Sequence, residues 1–199
     1  MFQSMSSRVP TSGPHTIEEW LAQPEEARLE LIDGEFIPKA APTLQHGRAQ
    51  GRTSASLGLS FDRRTGEPGG PGGWWIATEV DVVMDGRGYR PDVAGWRRER
   101  FPELPTKRPV EVRPDWICEI LSESNRNVDT VKKLRRYHQA GVPHYWILDP
   151  LDRSLTVYRH GPDGYLVALA AEAGEKVRAE PFDAIEVAVA ELLGDDPEE

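Results

Sequence analysis

The apolar positions change their period along the chain, and those changes mark out the elements. Ile17 to about Gln23 follows Thr16-Ile17-Glu18-Glu19, a capping-box pattern, so a short helix is predicted there. Two short apolar runs, Leu29 to Ile32 and Glu35 to Ile37, flank Asp33-Gly34, a two-residue turn that predicts a β-hairpin. From Leu44 to Phe61 the apolar residues recur at loosely helical spacing without proline, which predicts a second helix. The glycine-rich run 66–73 reads as a connector. No Lys-Ser or Lys-Thr follows it and a strand comes next, so the context of a phosphate cradle is missing.

Trp74 to Met84 reads as one strand and Tyr89 to Trp96 as its partner, joined by a turn at Asp85-Gly86-Arg87-Gly88. Residues 97–114, with four prolines, form a loop. Trp116 to Leu121 is an apolar run short enough for a buried strand. Asn127 to Ala140 reads as a helix stopped by Gly141 and Pro143. Further strands are expected at His144 to Leu148, Ser154 to Tyr158 and Tyr165 to Ala170, the last two as a hairpin. Phe182 to Leu193 reads as a terminal helix or a strand plus helix, and there is no internal repeat. The strand–helix–strand step over 116–148 implies a right-handed parallel crossover, and the meander before it implies antiparallel pairing. The predicted class is α/β (of the α+β kind), a mixed sheet flanked by helices. One domain is expected over 16–193, between a disordered segment 1–15 and an acidic tail 194–199.

Composition adds exclusions. The length of 199 residues suits one domain with a sizeable core. No run of ~18 apolar residues exists to span a membrane, and the first fifteen residues lack an apolar signal core. A single cysteine, Cys118, excludes an internal disulfide framework and a cysteine zinc site. These features point to a cytoplasmic protein with no membrane partner. The net charge of −9 argues, taken whole, against a nucleic-acid binder. Its distribution reverses that reading. Residues 163–199, with 11 acids and 2 bases, carry all of it, so residues 1–162 are neutral and free to form basic patches.

Three features carry chemistry. Glu119 sits in the middle of the apolar run Trp116 to Leu121. A buried carboxylate must be protonated, paired with a base or bound to a cation. Asp92 follows Pro91 where a strand begins, and proline's missing donor suits an edge or a strand deformation. If the two acids lie on neighbouring strands, they form a hard oxygen site suited to Mg²⁺ or Mn²⁺ and to phosphodiester chemistry. The third feature is the basic helix, in which Arg126, Lys132, Lys133, Arg135 and Arg136 face Asp129 as the sole acid. It can place a lysine over the metal site and arginines near a phosphate backbone. The plainer alternative is a solvated face with an Asp129–Lys133 i,i+4 pair.

In this order the features resemble the restriction-endonuclease-like PD-(D/E)XK superfamily, and more closely its Uma-type bacterial family. The stretches that carry the resemblance are Glu30-Leu31-Ile32-Asp33-Gly34-Glu35, Arg90-Pro91-Asp92-Val93, Glu119-Ile120-Leu121-Ser122, Asp129 with Lys133 and Tyr137, and the run Gly141 to Pro150. Together they span about residues 16–190. The resemblance implies an αβββαβ core with extra N- and C-terminal hairpins, metal-dependent cleavage of DNA, and Asp92 and Glu119 as ligands of Mg²⁺ or Mn²⁺. It also makes a homodimer, one active site per strand, a natural arrangement. One departure stands out. The superfamily lysine two residues after the acid is Leu121 here, on the same strand face as Glu119. The resemblance moves the lysine to the following helix, to Lys133 with Lys132 as fallback. There it would orient or deprotonate the attacking water, or stabilise developing phosphate charge. Glu30 matches an acid that approaches from the N-terminal part.

Other residues read more plainly. Asp115, ~13 Å along the strand from Glu119, is too far to share a metal and reads as strand-start punctuation. His46 reads as a surface histidine, Cys118 as a small core residue facing away from Glu119, and Tyr137, Tyr145 and Trp146 as core. Two alternatives stay open beside a nuclease. One is a non-catalytic nucleic-acid or protein-binding module, motivated by Leu121 and the acidic tail. The other, weaker, is a two-carboxylate hydrolase such as a glycosidase.

Overall fold

The computed structural model describes residues 13–66 and 68–196. The first helix, α1 (Ile17–Leu21), is closed by the expected capping box, in which the Thr16 side chain accepts from Glu19 N and the Glu19 side chain accepts from Thr16 N. The hairpin forms as β1 (Leu29–Ile32) and β2 (Glu35–Pro38), with Leu31 opposite Phe36. Asp33 and Gly34 take the positive φ values of 55° and 79° that a tight two-residue turn requires. Of the segment expected to be disordered, residues 1–12 lie outside the described residues. His15 is docked on the hairpin, its N–H donating to Gly34 O at 2.9 Å and its ring stacked on Phe36. Helix α2 (Leu44–Phe61) starts at Thr43, whose hydroxyl accepts from His46 N, and runs the full predicted length.

The next region departs from expectation. In place of one long hairpin there are four short strands, β3 (Trp74–Thr78), β4 (Val82–Met84), β5 (Arg87–Tyr89) and β6 (Val93–Arg97). The outer pair, β3 and β6, joins a six-stranded sheet, and the inner pair, β4 and β5, joins β1 and β2 in a four-stranded one. The break falls where Glu79 turns into the left-handed region (φ 55°) opposite Pro91, which has no N–H to offer a ladder. A period-two pattern alone cannot show such a break, because alternation continues through it.

The six-stranded sheet continues with β7 (Trp116–Ile120), β8 (His144–Asp149), β9 (Ser154–His160) and β10 (Tyr165–Glu172), in the order β10-β9-β8-β7-β6-β3. Only β7 and β8 are parallel, as the crossover predicts. Their connection is a π-helical segment (Val128–Lys133) that runs into α3 (Leu134–Gln139). The C-terminal part pairs β11 (Lys176–Val177) with β12 (Val187–Ala188), followed by α4 (Val189–Leu192). Among the described residues, no helix is long and apolar enough to cross a membrane.

Alternation along β7 sorts two cores. Trp116, Cys118 and Ile120 pack with α2, α4 and Phe182 on one face. Ile117 and Leu121 pack with Tyr89, Tyr137 and Tyr145 on the other. Glu119 shares this second face, and the four-stranded sheet closes over it. The closure depends on Trp20, whose indole donates to Leu29 O at 2.7 Å and lies flat on Gly88. A Cβ at Gly88 would overlap the Trp20 ring. Gly88→Ala is therefore expected to cost about 1–3 kcal/mol in urea unfolding; a loss below about 0.5 kcal/mol would show that the indole can move aside.

Candidate active site

Sheet register brings the two predicted acids together. Val93 on β6 pairs with Cys118 on β7, so Asp92 and Glu119 face each other one position further along. Asp92 N lies 3.4 Å from Glu119 Oε2. Asp92 Oδ2 accepts from Ile120 N at 2.7 Å. Both side chains are buried, at 2% and 1% exposure. The break at Pro91 is what puts Asp92 here, since a continuous strand would carry it on into the small sheet.

The other predicted residues converge on the same place. Lys133 Nζ lies 2.9 Å from Glu30 Oε2, 3.0 Å from Glu119 Oε1 and 3.1 Å from Asp129 Oδ1. Glu30, on β1, also accepts from Arg90 N through Oε1 at 2.9 Å. The Asp129–Lys133 i,i+4 pair thus exists, but buried inside the protein rather than on a solvated face. Four residues apart on the helical segment Val128–Lys133, Asp129 and Lys133 share one face and both point inward. Lys132 is exposed, so the fallback lysine is not the one at the site. Asp115 lies elsewhere, accepting from Arg97 N and paired with Arg100.

Four residues that the sequence did not single out as site members complete the cluster. Lys39, immediately after β2, donates to Asp92 Oδ1 and to Arg90 O, both at 2.7 Å. His46 is not a surface histidine. Its side chain is 12% exposed and Nε2 lies 3.3 Å from Asp92 Oδ1. Gln50 donates to Asp92 O at 2.8 Å. Tyr137 is core, as expected, but its hydroxyl also donates to Glu119 Oε1 at 2.8 Å. A signal for two of these exists in the sequence. His46 extends the helical stripe formed by Ala49, Thr53, Leu57 and Phe61 toward its N-terminus, and Gln50 borders it one turn on from His46. Lys39 has none, since nothing local distinguishes it from a solvated lysine at a strand end.

Four buried carboxyl groups (Glu30, Asp92, Glu119, Asp129) thus meet two buried ammoniums (Lys39, Lys133), two more acids than bases. The titration behaviour follows. Burial pushes Glu119 up to about 8 despite the pull of Lys133, with Asp92 and Asp129 adding repulsion. Burial likewise pushes Asp129 up to about 6. Burial would raise Asp92 too, but the adjoining Lys39 and His46 hold it well below the usual carboxylate range. Lys133 is disfavoured by burial yet raised well above its ordinary value by Asp129, Glu119 and Glu30. A lysine so held keeps its proton.

A cavity of about 20 Å³, lined by Asp92, Glu119, Asp129, Lys39, Lys133 and His46 among others, lies between these groups. That is room for an occupant of about water size. The donor set around it suits a hard divalent cation. Glu119 Oε2 has only the long contact from Asp92 N, and Asp129 Oδ1 accepts no well-aligned hydrogen bond. Among the described residues no three His, Cys, Asp or Glu side chains are arranged as metal ligands. The geometry offers instead one or two carboxylates, with waters and substrate to fill the remaining positions, as Mg²⁺ binds. The cavity shares Ala40, Thr43, His46 and Ser122 with an open groove of about 440 Å³ that also reaches Ser124 and Leu151.

Comparison with known proteins bears on the fold and the family. A crystal structure described as that of a "putative nuclease belonging to DUF820" from Anabaena variabilis ATCC 29413 superposes with a TM-score of 0.73, at 21% identity, over 90% of this chain and 98% of that one. At that identity the likeness concerns the fold, which is restriction-endonuclease-like. No curated protein matches the chain. Residues 15–190 match the family described as "Uma2: Putative restriction endonuclease", which covers nearly all of the folded chain, and the protein belongs to that family.

Proposed function

We propose that the protein is a divalent-metal-dependent endonuclease that hydrolyses phosphodiester bonds in DNA. The observation that carries this reading is the excess of buried carboxylates over buried ammoniums, with Asp92 and Glu119 side by side at a small cavity that opens toward a groove. Asp92 and Glu119 would hold Mg²⁺ or Mn²⁺, and Glu30 and Asp129 would add negative potential behind them. The bound ion would supply Lewis-acid polarisation of the scissile phosphate and activation of a water.

The chain's own residues set the stage for that ion. Lys133 donates to Glu119 Oε1 at 3.0 Å and is ion-paired with Glu30 and Asp129, and an ammonium that holds its proton so firmly does not suit a base. Its role is to fix Glu119, together with the Tyr137 hydroxyl. Ile120 N and Lys39 fix Asp92. His46 stands where the cavity meets the groove, at the start of α2, on the path a phosphodiester would take.

The direct test is nicking of supercoiled plasmid in Mg²⁺ against EDTA. Asp92→Ala and Glu119→Gln are each expected to lower the rate by more than the ~10–100-fold that loss of an outer-shell metal partner costs. Cleavage that survives both substitutions overturns the assignment. Lys133→Met would strand three buried carboxylates and should cost about 3–5 kcal/mol in denaturant unfolding; a variant as stable as wild type would show that water reaches these acids.

The raised Glu119 and Asp129 give a pH signature. The folded, metal-free protein binds these protons more tightly than the unfolded chain does. Their contribution to stability therefore falls as pH rises from about 4.5, the ordinary glutamate value, to about 8. A bound divalent ion replaces those protons, so the stabilisation conferred by Mg²⁺ should grow from pH 5 to pH 8 and then level off. Thermal unfolding with and without Mg²⁺ across that range checks it, and a Mg²⁺ effect that is flat or falls with pH contradicts the site.

A further inference from the structure

The two buried lysines differ in how their donors are used. An ammonium has three N–H groups and no acceptor. Lys133 Nζ has three carboxylates within 3.1 Å and donates a hydrogen bond to one of them, Glu119 Oε1. Lys39 gives two of its N–H groups, at 2.7 Å each, to Asp92 Oδ1 and Arg90 O. Its third points to Glu79 Oε1 at 3.4 Å. That contact is long, and Glu79 is already held by Arg28 through both carboxylate oxygens at 3.1 Å and by Gln50 at 3.3 Å. Lys39 therefore keeps one loosely held donor, and it lines the cavity beside Asp92 and Glu119. It also sits on an oxygen that a divalent ion would need.

We propose that Lys39 is a further catalytic residue: it competes with the metal for Asp92 Oδ1 and, once displaced, contacts the scissile phosphate. This rests on the nuclease reading. A divalent ion on Asp92 turns the Lys39–Asp92 attraction into a repulsion between neighbouring cations. The side chain is anchored at its base, where Lys39 N donates to Arg28 O at 2.8 Å, so only the ammonium end moves. Without substrate, Glu79 is in reach as the alternative acceptor. With substrate, the strongest new acceptor at the cavity is an anionic phosphate oxygen, and a lysine binds phosphate as a point charge without needing a fixed fork. The cation that the sequence lacks at Leu121 would thus arrive from the end of β2.

Lys39→Gln keeps amide donors for Asp92 and Arg90 but removes the charge; Lys39→Arg keeps a charge. Titration calorimetry with Mn²⁺ alone reads the competition, and single-turnover plasmid cleavage in Mg²⁺ reads the phosphate contact. Lys39→Gln should bind Mn²⁺ at least about tenfold more tightly than wild type while cleaving ~10²–10³-fold more slowly. Lys39→Arg should bind Mn²⁺ as wild type does. A merely structural lysine would move both readouts of Lys39→Gln downward together. Weaker or unchanged Mn²⁺ binding in Lys39→Gln, tightening in both variants, or wild-type cleavage by Lys39→Gln overturns the proposal. Should Lys39→Gln fail to fold, the Lys39 Nζ resonance of the wild-type protein decides, since it must shift when Mg²⁺ is added and an unchanged signal counts against displacement. If the wild-type protein does not cleave at all, the fault lies with the nuclease reading, whereas the Mn²⁺ and resonance measurements still test the hold of Lys39 on Asp92.

Discussion

A single buried ammonium ties the molecule together. Lys133 comes from the crossover helix, Glu119 from the centre of the large sheet and Glu30 from the small one. An unpaired charge at any of these positions would be costly in the interior, so the three elements are held in one relative arrangement. Asp33 supports the same junction from outside, binding Arg87 of β5 at 2.9 Å and Arg136 of α3 at 2.7 Å. The surface pairs add little stability, but they act at the same place, where the small sheet meets the helix. The ionic cluster is therefore both the joint between two sheets and the floor of the proposed active site.

Charge balance gives that cluster its chemistry. A structural ion-pair network gains most when its charges cancel and each donor finds an acceptor. Here the carboxylates outnumber the lysines, and oxygens of Glu119 and Asp129 remain poorly served. Raised proton affinities at these two acids mark a site that seeks positive charge. The cation can be a proton or a metal, and protons vanish first as the pH rises.

The strand break at Glu79 and Pro91 has a similar double role. It lets a single stretch of chain serve two sheets, and it leaves Asp92 at the seam between them. A left-handed non-glycine residue such as Glu79 costs some backbone energy. Its carboxylate is held by Arg28, itself left-handed at φ 46°, and lies within reach of Lys39. Two of the chain's positive-φ non-glycine residues thus meet beside the site.

Most elements were legible because their signals are local. Thr16 with Glu19, Asp33-Gly34 and Gly141 before Pro143 act within a few residues, and the apolar period of 44–61 needs no partner to be read. Glu119 stood out because an acid in an apolar strand contradicts its surroundings, and Asp92 because proline precedes it. The sequence could not show that alternation through 74–96 conceals a break, because the break depends on which sheet each half joins. Nor could it distinguish Lys39 from a surface residue, or show that the helical stripe bearing His46 is covered at that end. Their burial is decided by β1, β2 and α2 closing over the sheet, and a side chain's electrostatic partners come from wherever the chain folds back, not from its neighbours in sequence.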